Sequence, residues 1–119
     1  MSWKDNAINI LKESLYPVPS ELNELDWKSG LSCKTERLAQ HISAFANNKG
    51  GGMLVYGVND DGTIFSPTQE EMDQIIRKLG NIAKNNLSYA ISIDHTIIEF
   101  EGESLLFVYI PEQKERPVH

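Results

Sequence analysis

The chain has 119 residues, a length that suits one domain with a single core and no disulfide or metal staples. Hydrophobic residues make up 40% and charged residues 24%, and no apolar run approaches the ~18 residues of a membrane-spanning helix. Seventeen acidic against eleven basic residues leave a net charge of −6, which excludes a uniformly basic coat for nucleic-acid phosphates and confines any such contact to a local patch.

In chain order, Trp3, Ala7, Ile10, Leu11 and Leu15 recur at helical spacing and predict an amphipathic helix over 3–15, capped by Ser2 with Asp5 reaching back. Tyr16-Pro17-Val18-Pro19-Ser20 then imposes extended backbone, because each proline disfavours helix at the residue before it. Residues 1–20 therefore read as an N-terminal helix and a proline-containing linker, and 21–119 as the main body. Glu21 to Lys28 reads as a strand ended by Ser29-Gly30. Leu38, Ile42 and Phe45 predict a helix over 35–47, capped by Ser32 or Thr35, with Asn47-Asn48-Lys49-Gly50 as a left-handed exit. A buried strand over 53–58 follows, then a tight turn at Asn59-Asp60-Asp61-Gly62.

A long helix is expected over 68–86, with Thr68 and Glu71 as a capping box and Met72, Ile75, Ile76, Leu79, Ile82 and Ala83 as its apolar stripe. Gly80 within it costs about 1 kcal/mol relative to alanine, which predicts a close packing contact or early fraying. The remainder reads as β. Tyr89, Ile91 and Ile93 alternate, and Thr96–Phe100 and Ser104–Ile110 flank the hairpin turn Glu101-Gly102. Leu105 to Ile110 is apolar on both faces and belongs inside a sheet. The fold class is α+β: a small mixed β-sheet packed with two or three helices.

The basic set is Lys28, Lys34, Arg37 and Lys49, which could touch phosphates if they converge or could simply pair with Asp26, Glu24 or Glu36. The run Gly50-Gly51-Gly52 follows a helix and precedes a strand, the reverse of a phosphate-binding loop, and Lys49 comes before it; nucleotide hydrolysis is not expected. Gly51 could still let a nucleic-acid backbone approach main-chain N–H groups closely. His41, His95 and His119 lack zinc-site spacing, and Cys33, the only cysteine, can form no intrachain disulfide. Trp27 and Phe45 are expected in the core. The charged opening Met1-Ser2-Trp3-Lys4-Asp5, without a signal-peptide core, and the lone cysteine together suit a cytoplasmic setting away from membranes.

Three segments carry a family resemblance. Glu21-Leu22-Asn23-Glu24-Leu25-Asp26-Trp27-Lys28 resembles the opening strand of the AlbA_2 domain, found in Schlafen-like proteins and bacterial transcriptional regulators. Ile42-Ser43-Ala44-Phe45-Ala46-Asn47 resembles its helix end, and Gly51-Gly52-Met53-Leu54-Val55-Tyr56-Gly57-Val58-Asn59-Asp60-Asp61-Gly62 its central strand and turn. The resemblance runs from about Glu21 to about Pro117 and implies an N-terminal fragment of a longer protein. It also implies nucleic-acid binding, DNA rather than RNA, in a transcriptional regulator. Some Schlafen members cut RNA with metal-bound carboxylates in these segments, which map onto Glu21, Asp26 and Asp60; only in that reading is a cofactor, Mg²⁺ or Mn²⁺, expected. Against it, the acids read as solvated groups on an edge strand and the aspartates as part of a turn needing φ > 0 at Gly62. A homodimer is expected, because two copies raise avidity and match two-fold DNA sites. The remaining alternative is a dimerisation or protein-interaction module without nucleic-acid affinity of its own.

Overall fold

The structure is a computed structural model of the 119-residue chain and describes residues 3–16, 25–30, 35–85, 87 and 91–113. Helix α1 (Trp3–Leu15) is followed by strand β1 (Leu25–Lys28), helix α2 (Thr35–Ala46), strand β2 (Gly52–Tyr56), helix α3 (Gln69–Asn85) and the strands β3 (Asp94–Phe100) and β4 (Glu103–Ile110). The strands form one mixed sheet in the order β1-β2-β4-β3, with β1 and β2 parallel and the other pairs antiparallel. Parallel pairing requires a crossover, and α2 supplies it.

Side-chain alternation divides the sheet between two cores. Leu54, Tyr56, Leu106, Val108 and Ile110 face α2 and α3, whereas Leu25, Trp27, Met53, Val55, Leu105 and Phe107 face α1. That is why the 105–110 stretch is apolar on both faces: β4 is an interior strand covered on each side by helix. Helix α1, although it precedes the proline-containing segment, buries Ala7 and Leu11 completely in the second core. Its Ser14 hydroxyl donates to Leu11 O at 2.8 Å and accepts the Trp27 indole N–H at 3.0 Å, which ties α1 to β1. Trp3 stacks on Tyr109 at 5.2 Å and donates its indole N–H to Asp94 at 3.1 Å.

Two elements differ from the sequence expectation. Residues 91–93 are not a strand: the Ile91 N–H bonds Ala83 O at 2.9 Å, and its side chain fills the α2–α3 core, so the alternation reflects burial under a helix rather than sheet pairing. Gly80 neither packs closely nor frays, since a Cβ there would meet open space and α3 continues to Asn85. The expected features over Glu21–Glu24, at Ser2, Ser32, Cys33 and Lys34, at Tyr89, and beyond Gln113 lie outside the described residues. Trp27 and Phe45 are core residues, and the Thr68–Glu71 capping box forms, with the Glu71 N–H 3.1 Å from Thr68 Oγ1. At the exit of α2 it is Gly50 and Gly51 that take the left-handed conformation, at φ 84° and 76°. No helix among the described residues is long and apolar enough to cross a membrane.

Candidate nucleic-acid interface

Strand β1 sends Leu25 and Trp27 towards α1, so by the period of two Asp26 and Lys28 emerge on the opposite face. Because β1 is an edge strand, α2 only partly covers that face, leaving an open groove of about 560 Å³ between the strand and the helix. Arg37 and His41, four residues apart on α2 and therefore on one side of it, line the groove with Asp26 and Lys28. Asp60 reaches it from the turn after β2. That turn is built as its residues demand: Gly62 sits at φ 88°, its N–H bonds Asn59 O at 2.9 Å, and the Asp61 carboxylate accepts the Thr63 N–H at 3.0 Å. The Thr63 hydroxyl and N–H together hold the Asp61 carboxyl below the usual range.

Electrostatically the groove is a mixed cluster centred on Asp26. Lys28 Nζ lies 2.9 Å from Asp26 Oδ2, and His41 Nδ1 lies 3.3 Å from the same oxygen without hydrogen-bonding geometry. Desolvation, then the Lys28 charge, lowers the His41 pKa; Asp26 acts in the opposite sense but does not prevail. Tyr56 is the register partner of Lys28 on β2, fully buried, with a hydroxyl that has no hydrogen-bond partner among the described residues. Burial, and secondarily the Asp26 charge, push the phenol well above its ordinary pKa.

Asp26, Asp60, Lys28 and Arg37 thus share one groove, whereas Glu21 and Lys34 lie outside the described residues. Lys49 does not join them. It lies beyond Ala46, the last residue of α2, while Arg37 sits in the first turn, nine residues or roughly 14 Å of helical rise before that end. Gly51 is committed to the chain reversal: its N–H bonds Asn48 O at 3.0 Å, and a Cβ on it would stand 2.2 Å from Ile110 O. The neighbouring Gly50 N–H is given to Glu112 Oε1 at 2.9 Å. His41 was not among the residues that the sequence assigned to this surface; the signal for its place here was its spacing from Arg37. Among the described residues no group of three His, Cys, Asp or Glu is placed to hold a metal ion. Two carboxylates and a lysine-flanked imidazole do not make such a site by themselves.

Residues 21–119 match the sequence family described as Schlafen, AlbA_2. A comparison with curated proteins gave no match. Among solved structures, the N-terminal domain of an ATP-dependent DNA helicase RecG-related protein from Nitrosomonas europaea superimposes with a TM-score of 0.66 at 24% identity, over 95% of this chain and 78% of that one. The DIP2311 protein of Corynebacterium diphtheriae gives 0.57 at 18% identity, over 97% of this chain and 23% of its own length. At such identities the likeness is one of fold.

Proposed function

The chain belongs to the Schlafen AlbA_2 family, and on that premise we propose that it is a nucleic-acid-binding domain of a cytoplasmic regulator, reading DNA rather than RNA through the β1–α2 groove. The observation that carries the reading is the placement of Lys28 and Arg37 on facing walls of one open groove in an otherwise acidic chain. Phosphate contacts need cations at a shared surface rather than a basic protein throughout. Asp26 holds Lys28 in place from within the groove. Arg37 has no ion pair among the described residues, and its planar fork suits bidentate contact with a phosphate. The RecG-related neighbour supports the reading because its name places that protein in a DNA setting.

With few cations engaged, binding is expected to be weak, with a shallow salt dependence of about one unit of slope for each phosphate contact. The test is fluorescence anisotropy of short labelled DNA and RNA at low and high salt, with and without Mn²⁺. Salt-sensitive binding supports the proposal, and absence of binding to either strand type at low salt overturns it in favour of an interaction module.

A second reading, metal-dependent RNA cleavage, is favoured by one observation: Asp26 and Asp60 line the same groove. It requires a further ligand such as Glu21. Mn²⁺-dependent shortening of the labelled RNA, abolished by alanine at Glu21, Asp26 and Asp60 together, would bring it forward.

A further inference from the structure

We propose that β3 is a dimerisation edge: two copies of the chain pair β3 with β3 antiparallel, about a two-fold axis at Ile97, and so extend the four-stranded sheet into one continuous sheet. β3 lies at the end of the strand order, and no described strand pairs with its outer side. The β3–β4 hairpin closes through Glu101 and Gly102, at φ 50° and 84°, so both turn residues are left-handed, as in a two-residue type I′ turn. In such a hairpin the flanking pair, Phe100 and Glu103, exchanges hydrogen bonds. By alternation Ile98 and Thr96 also turn their main-chain groups towards β4, and those of His95, Ile97 and Glu99 point outward.

The side chains of the same three residues are exposed, and Ile97, at 45%, is an exposed large aliphatic at the middle of the strand. Sheet edges are ordinarily protected by shortness, by lysine or proline, or by a bulge. The opposite edge, β1, follows that rule with four residues and Lys28. β3 has seven residues and neither lysine nor proline, and its register with β4 runs unbroken. A single device closes one end: Asp94 Oδ1 takes the His95 N–H at 2.8 Å.

The occupant is specified by self-complementarity. With Ile97 opposite its own copy, His95 falls opposite Glu99 of the second copy on the same face, and the reverse, giving two favourable cross-strand pairs. The Ile97 N–H then meets the copy's Ile97 carbonyl, and the Glu99 N–H meets its His95 carbonyl, so the N–H withheld by Asp94 is not required. Sliding the register by two residues sets Glu99 or His95 against Ile97 and forfeits both pairs. This dimer does not depend on the nucleic-acid reading and is measured without any ligand.

Sedimentation equilibrium of the 119-residue chain at physiological salt, up to ~1 mM, tests it, with circular dichroism to confirm that each variant is folded. Wild type is expected to show a monomer–dimer equilibrium. His95→Glu sets two carboxylates opposite each other twice per dimer and should weaken association about tenfold or more. The double variant His95→Glu with Glu99→Lys sets a carboxylate opposite an ammonium group in both pairs and should recover most of that loss. Ile97→Lys should weaken the dimer without touching the β4 ladder. A chain that stays monomeric throughout, or a dimer indifferent to His95→Glu and Ile97→Lys, would overturn the proposal.

Discussion

At the scale of single residues, two buried hydroxyls behave in opposite ways. Ser14 is satisfied from both sides, donating to Leu11 O and accepting from Trp27. Ser14→Ala leaves the indole N–H without that acceptor inside a dry core and should destabilise the chain by about 1–3 kcal/mol, read as a lower urea midpoint. Tyr56 carries a buried hydroxyl without a partner, so Tyr56→Phe removes a desolvation cost and should raise stability by about 1 kcal/mol. The same substitution has a pH signature. A phenol whose folded pKa lies above its unfolded value of 10.0 leaves stability intact below pH 10 and erodes it above, where the unfolded chain loses a proton that the folded chain keeps. Wild type should therefore lose stability between about pH 10 and 12, and Tyr56→Phe should lose measurably less, as followed by urea titrations across that range. None of this was visible in the sequence. Tyr56 reads as one apolar residue of a buried strand, and only its register with Lys28 shows that its hydroxyl is stranded near Asp26.

At the scale of elements, the sequence was most legible where periodicity and turn chemistry agree. Helix α1 spans the expected 3–15, α3 begins behind the Thr68–Glu71 box, and β4 lies inside the sheet because 105–110 is apolar on both faces. Alternation at Ile91 and Ile93 misled because period two measures burial and not hydrogen bonding; a chain lying under a helix can show it as well as a strand can. Gly80 misled for the opposite reason, since nothing in its environment calls for glycine. Gly80→Ala should therefore stabilise α3 by roughly 0.5–1 kcal/mol through helix propensity, raising the thermal midpoint by a few degrees. Gly52 makes a contrast: a Cβ there would stand 1.9 Å from the Phe45 ring. The four groove residues Asp26, Lys28, Arg37 and Asp60 were all visible as motif members. What the sequence left open was which of the basic residues converge, because that depends on which face of β1 the helix α2 covers.

At the scale of the whole molecule, the two cores make α1 integral to the fold although it precedes the family's matched residues, 21–119. Deleting residues 1–16 would strip the cover from Leu25, Trp27, Met53, Val55, Leu105 and Phe107. The remaining chain should unfold or aggregate, seen as loss of cooperative melting and as light scattering; a soluble, cooperatively melting product would show that the sheet needs only α2 and α3. The net charge of −6 acts at the same scale, since it opposes nucleic-acid binding overall and makes the proposed contact dependent on very few side chains. The measurement that tests this most directly is the salt dependence of DNA binding by wild type, Lys28→Ala and Arg37→Ala, each checked for an unchanged melting curve. If the groove holds phosphates, each substitution should weaken binding at low salt and reduce the slope of log K against log salt by about one. Binding of unchanged affinity and slope in both variants would place the nucleic acid elsewhere and contradict the assignment of the groove.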